Sequence, residues 1–230
     1  MQIGVVVSRT ALTPDRALDE AMTLADADGL SGLTMRKLAR QLGVEAMSLY
    51  YHFPNKDALL DGMVDLVFAE VELPRPGEPW QPAMQRRAES LRAALLRHPW
   101  AVELLDSRKT PGAATLTHHE AIIRNLREAN FSWSMTAHAF SLIDAYVFGF
   151  VIQEIQLPFD TPEESQDLAE DIMAGMADMA AAFPYLTAFT MEHVMQPGYN
   201  YSEEFVYGLQ LVLQGLRRDH TPAEPTADSR

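Results

Sequence analysis

Residues 48–56, SLYYHFPNK, bring Ser48, Tyr50, Tyr51, His52, Asn55 and Lys56 into nine positions, just after the bases Arg36, Lys37 and Arg40. Hydroxyl, phenol, imidazole and ammonium groups at this density suit phosphate oxygens and base edges. Phosphate contacts fix a protein's register on a duplex, and groove contacts read its sequence. Patterns for bond-making chemistry do not stand out: there is no nucleophile elbow, glycine-rich phosphate loop or Ser-His-Asp ordering. His118-His119-Glu120 and Glu192-His193 lack the Glu-x-x-His and His-Glu-x-x-His spacings of metal sites. Two adjacent histidines on a helix point about 100° apart, so they rarely share an ion. With no cysteine in the chain, thiolate ligands and disulfides are excluded. The expectation is no catalytic residue, no metal and no cofactor.

The charge distribution sharpens the nucleic-acid reading. Net charge is −14 over 230 residues, against a generic polyanion binder. Yet residues 31–56 hold Arg36, Lys37, Arg40 and Lys56 against Glu45 alone, whereas between Arg127 and Arg217 there are thirteen acids and no Lys or Arg. A polyanion can meet the N-terminal part and is repelled by the rest. The start, MQIGVVVSRT, lacks the basic and long apolar regions of a signal peptide. The longest mostly apolar run, near 145–152, is shorter than the ~20 residues of a membrane span. These features predict a soluble cytoplasmic protein without a membrane partner.

Helical elements must position these groups. Thr13-Pro14-Asp15 starts a first helix, with a cap, a proline at the first position and an acid toward the dipole. Ala17, Leu18, Ala21, Met22, Leu24 and Ala25 recur at helical spacing, and Gly29 ends the run. Thr34 caps a short second helix that turns Leu38, Ala39 and Leu42 inward. Gly43 breaks it at a turn needing positive φ. A third short helix runs from about Glu45 to His52. Asn55 caps a fourth, reaching about Glu72 with Leu59, Leu60, Met63, Val64, Val67 and Phe68 inward. LPRPGEPWQP then marks a boundary. Beyond it helices are predicted over roughly 80–97, 99–108, 112–129, 133–156, 162–182, 185–195 and 201–218, with no alternating strand pattern. The fold class is all-α: residues 1–73 a helix-turn-helix domain with its connecting helix, 74–218 a second helical domain, and 219–230 a solvated tail.

Short helix, glycine turn, short helix, with a longer helix in support, is a helix-turn-helix. Its stretch GLTMRKLARQLGVEAMSLYYHFPNKDALLD, residues 32–61, resembles the DNA-binding region of tetracycline-repressor (TetR) family regulators. Gly32, Leu33, Thr34, Arg36, Leu38, Ala39, Gly43, Val44, Leu49, Tyr50, His52, Phe53, Asn55, Lys56, Leu59 and Leu60 all match that family's pattern. The candidate DNA-binding residues are Thr34, Arg36, Lys37, Ala46, Met47, Ser48, Tyr50, Tyr51, His52 and Lys56. Tyr50, His52 and Lys56 are expected on phosphates; Arg36, Ser48 and Tyr51 can reach bases. Ala46 and Met47 can offer only apolar contact or shape. Tetracycline repressors proper carry glutamine and proline there, so the operator should differ.

The resemblance further implies a ligand-responsive repressor that binds a palindromic double-stranded operator as a homodimer, through a four-helix bundle. Phe140, Ile143, Val147, Phe150 and Val151, with Phe205, Leu209, Val212, Leu213 and Leu216, are the expected dimer residues. Gly149 and Gly208 can allow close helix approach or simply accommodate local packing. Met84, Trp100, Leu104, Leu105, Ile122, Trp133, His138, Tyr146, Met173 and Met176 are the candidate effector-lining residues. Tetracycline repressors hold a magnesium–drug complex with a histidine, where this chain has Leu104-Leu105. That disfavours magnesium–tetracycline and points to an apolar or aromatic small molecule. A helical interaction module without DNA binding, and an all-α enzyme, are the alternatives.

Overall fold

The computed structural model describes residues 11–105, 110–157, 182–196 and 198–219, and these are helical, with no strand among them. They form two compact units, one up to Thr136 and one from Ala137 onward.

The first unit begins with α1, Pro14–Gly32, whose Thr13 hydroxyl accepts from the Arg16 N–H at 3.2 Å. Gly29 takes φ 67° and kinks it near its end. Thr34 caps α2, Met35–Leu42, and Gly43 closes it at φ 68°, ψ 32°, a left-handed conformation costly for any residue with a Cβ. Next come α3, Ala46–His52, and α4, Lys56–Ala69, where Asn55 Oδ1 accepts from the Ala58 N–H at 2.8 Å. Leu33, Leu38, Leu49, Leu59, Met63 and Val67 are fully buried and make the core beneath the helix-turn-helix. α4 ends at Ala69, short of the expected Glu72.

Past the proline-rich link, α5 is Trp80–Arg97 and α6 is Ala113–Glu128. The helix expected over 99–108 is a single 3-10 turn, Pro99–Ala101. His98 takes φ −126°, ψ 65°, outside the α region that a following proline disfavours, which breaks the helical direction. Asn130, at φ 66°, ends the α6 segment in the left-handed region, a role its short amide side chain tolerates.

α7, Trp133–Glu154, starts at the end of the first unit and runs into the second, which also holds α8, Pro184–Phe189, a π-helical turn Thr190–Val194, and α9, Tyr201–Asp219. The segment expected over 162–182 lies largely outside the described residues, as does most of the tail. α7 has 22 residues and mean hydropathy 1.5, long and apolar enough by composition to cross a membrane. This corrects the expectation that no segment reaches that length. Its apolar side is used within the unit: the Tyr146 and Phe205 rings stack at 5.5 Å, and Phe150 meets Tyr201 at 4.9 Å.

Candidate nucleic-acid interface

The outer face of α3 is built by contrast with its inner face. Leu49 and Phe53 are buried, while Met47 is 76 % exposed and Tyr51 88 % exposed, with Ser48 and Tyr50 also open to solvent. Large apolar and aromatic side chains held out in water on a seven-residue helix are a cost that a binding surface explains. Ala46 and His52 are half-buried, and the Tyr51 and His52 rings meet edge-on at 5.3 Å.

The cations near α3 are not equivalent. Arg36 is exposed and makes no hydrogen bond or ion pair among the described residues. Lys37 pairs with Asp28 at 2.5 Å. Lys56 donates to the Leu30 carbonyl at 3.2 Å, tying the start of α4 to α1. The Thr34 hydroxyl accepts from the Lys37 N–H at 3.1 Å, so it serves the backbone of α2 first.

Several side chains connect these helices to α5 and α6. Asp65 of α4 accepts from the Thr115 N–H at 2.8 Å, the Thr115 hydroxyl at 2.9 Å and the Ala114 N–H at 3.2 Å. α6 has no side-chain cap of its own, so α4 supplies it. Gly112 makes room, since a Cβ there would collide with the Asp65 carboxylate. His98 lies between Asp26 at 2.8 Å and Glu70 at 3.1 Å, and Asp26 also accepts from the Trp100 indole at 2.6 Å. Burial pushes the Glu70 carboxyl up, but hydrogen bonds from Arg97 and His98 outweigh it and leave it below the ordinary value.

Deeper in the first unit, Arg87 of α5 and His118 of α6 are both buried, 1 % and 0 % exposed, and Arg87 Nε donates to His118 Nε2 at 3.0 Å. Desolvation, with the charge of Arg87 second, drives the His118 pKa down to about 2, so it is neutral. Its ring packs on Phe68 of α4 at 4.9 Å. The sequence drew attention to His118 only as a metal ligand, and to Arg87 not at all. The signal was their position, since Arg87 interrupts the stripe Met84–Ala88–Leu91, and His118 the stripe Ala121–Ile122–Leu126.

The effector candidates separate. Met84, Trp100, Leu104 and Ile122 are buried in the first unit and Leu105 is half-buried. Trp133 is 69 % exposed and carries Arg127 over its ring at 4.3 Å, and His138 is exposed, so neither is enclosed. The indole of Trp100 is held by Asp26 of α1, a brace rather than a free lining group. Tyr146 donates to the Phe205 carbonyl at 3.0 Å. Met173 and Met176 lie outside the described residues.

The expected dimer residues divide by burial. Ile143, Val147, Phe150, Val151, Phe205, Leu209, Leu213 and Leu216 are buried within one chain, and Phe140 and Val212 are half-buried. A strong apolar stripe is the side a helix buries at home first. Open to solvent instead are Leu142, Ile152 and Ile155, and on α9 Val206, Tyr207 and Leu211. Gly208 accommodates Tyr146 of its own chain, whose ring a Cβ there would strike, while Gly149 faces open space.

Residues 17–63 match the family described as bacterial regulatory proteins, tetR family, and residues 73–219 match the tetracyclin repressor-like C-terminal domain. An HTH-type transcriptional regulator of Saccharopolyspora erythraea is 36 % identical over 182 residues, 77 % of each chain. The HTH-type transcriptional repressor DrrR1 of Streptomyces coeruleorubidus is 30 % identical, over 90 % of this chain and 78 % of its own. Among solved structures, the Streptomyces coelicolor TetR family protein ActR in complex with actinorhodin superposes with a TM-score of 0.76 at 28 % identity, covering 94 % of this chain and all of that one.

Proposed function

Because the chain belongs to the tetR family of bacterial regulatory proteins, and is therefore a DNA-binding transcriptional regulator and not an enzyme, we propose that it represses from a palindromic operator as a cytoplasmic homodimer. A small aromatic or largely apolar effector releases it. The observation that carries the DNA-reading part is the face of α3, where Met47 and Tyr51 stand 76 % and 88 % exposed over a fully buried Leu49. Arg36 joins them at the base edges. Met47 and Ala46 offer thymine-methyl contact. Thr34, Lys37, Ser48, Tyr50, His52 and Lys56 complete the footprint, mainly on phosphates. Lys37 and Lys56 do so after leaving the partners they hold in the free chain, Asp28 and the Leu30 carbonyl. The likeness to a protein solved with actinorhodin supports a small-molecule effector.

Selection of genomic fragments on the purified protein, followed by gel shift, tests this. One or a few sites are expected, with affinity falling steeply as salt rises. Arg36→Ala and Tyr51→Ala should each weaken binding about tenfold or more without changing the melting temperature. Retention of full affinity by both variants rejects this footprint. A chain that enriches no sequence at all behaves as a helical interaction module instead.

A further inference from the structure

The neutral His118 has one proton and one lone pair on its ring. Nε2 accepts from Arg87 Nε, so the lone pair is used there and the proton is on Nδ1. That Nδ1–H is buried and finds no acceptor among the described residues. A buried donor without a partner is rare in a folded protein and marks a place that water or a ligand completes. Its surroundings are apolar on two sides: Phe68 of α4 lies against the ring, and Ile122 follows one turn along α6, with its side chain 1 % exposed.

We propose that His118 is the polar anchor of the effector site, donating its Nδ1–H to a hydrogen-bond-accepting oxygen on an otherwise apolar aromatic ligand, such as a quinone carbonyl or phenolic oxygen. This rests on the effector reading above and narrows it from an apolar compound to one carrying a positioned acceptor. Arg87 acts behind the imidazole: its Nε–H at Nε2 selects the tautomer that presents the proton to the ligand. Phe68 lends the anchor a second consequence, because a ligand that moves the His118 ring also presses on α4, the helix leading out of the helix-turn-helix.

The test uses the full chain and three fused-ring probes, 1,8-dihydroxyanthraquinone, anthraquinone-2-carboxylate and the oxygen-free phenanthrene, titrated by quenching of tryptophan fluorescence. The oxygenated probes are expected to saturate the wild type. His118→Leu should weaken them about tenfold or more, the worth of a buried hydrogen bond left unmade, and leave phenanthrene unchanged or tighter. His118→Gln, whose amide can both accept from Arg87 and donate, should recover most of the loss. In the wild type with nitrogen-15-labelled histidine, the Nδ1–H resonance should shift with the oxygenated probes and not with phenanthrene. Equal binding of oxygenated probes by the wild type and His118→Leu overturns the proposal, since a buried water would then suffice as the partner. So does binding of phenanthrene alone, or saturation by none of the three. Gel shifts on the same proteins separate the two readings: loss of DNA binding in the wild type would sink the regulator reading, while unchanged DNA binding with unresponsive probes would sink only the anchor.

Discussion

Arg87 and His118 show how much a single buried contact can decide. Burial, with the charge of the neighbouring guanidinium second, keeps the imidazole uncharged, which governs its response to acid, while the Arg87 hydrogen bond selects its tautomer. In the unfolded chain His118 titrates near the ordinary value of about 6.5, whereas folded it stays neutral down to about pH 2. Below pH 6.5 the unfolded state therefore binds more protons, and stability falls as pH is lowered across that window. Stability measured by urea unfolding at pH 7 and pH 5 should drop more for the wild type than for His118→Gln, which has no proton to take up. Equal slopes would mean the ring is not held neutral. Glu78 adds a separate acid-sensitive contact. Hydrogen bonds from the Arg86 side chain and the Arg75 N–H hold its pKa near 2, so what it contributes is present above about pH 4.5 and lost as pH falls toward 2. Residues of this kind were legible in the sequence as interruptions of a stripe, but not as a pair. Their separation of 31 positions is closed only by the packing of α5 on α6.

Helices differ in where their caps come from. Thr13, Thr34 and Asn55 each cap from their own chain position three residues ahead. That local chemistry is why α1, α2 and α4 could be placed in advance. α6, expected over 112–129, could be placed from the break at Pro111-Gly112, but its cap is Asp65, 50 positions earlier than Thr115, which nothing near residue 113 announced. Asp65→Ala should cost about 1–2 kcal/mol, the usual worth of an N-cap, and should speed amide exchange at Ala114 and Thr115 before other α6 sites. Gly112→Ala should act the same way, because its methyl would push the carboxylate out. A loss below about 0.3 kcal/mol in both would show that α6 does not depend on α4. The same coupling makes α4 a helix that cannot shift without loosening the start of α6, which is the physical content of communication between an effector and the DNA-reading face. For a related reason, sequence alone does not assign the dimer residues at this scale. Periodicity shows which face of α7 and α9 is apolar, but not whether the chain or its partner covers it.

At the scale of the whole molecule, a chain of net charge −14 that reads DNA has to confine the duplex to its basic N-terminal face. A lone helix-turn-helix with few cations binds weakly, and in the function proposed above two copies acting on two half-sites supply the affinity. The surface for that pairing, in our reading, is the set left open after each chain has packed itself: Leu142 on α7 and Val206, Tyr207 and Leu211 on α9. Leu142→Glu combined with Leu211→Glu should give a folded monomer by sedimentation. Its melting curve should be cooperative, and its operator affinity should fall at least tenfold as the second half-site contact is lost. Ile143→Glu should instead unfold the second unit, because its side chain is fully buried within one chain. If the double variant stays dimeric, the pairing surface lies elsewhere. The effector should act on this dimer without dividing it. Saturating wild-type protein with a bound oxygenated probe should release operator DNA while the sedimentation coefficient stays that of the dimer, because the ligand shifts the balance between two dimer states that hold the two α3 helices differently. Release accompanied by monomers would place control at the interface itself and not in α4.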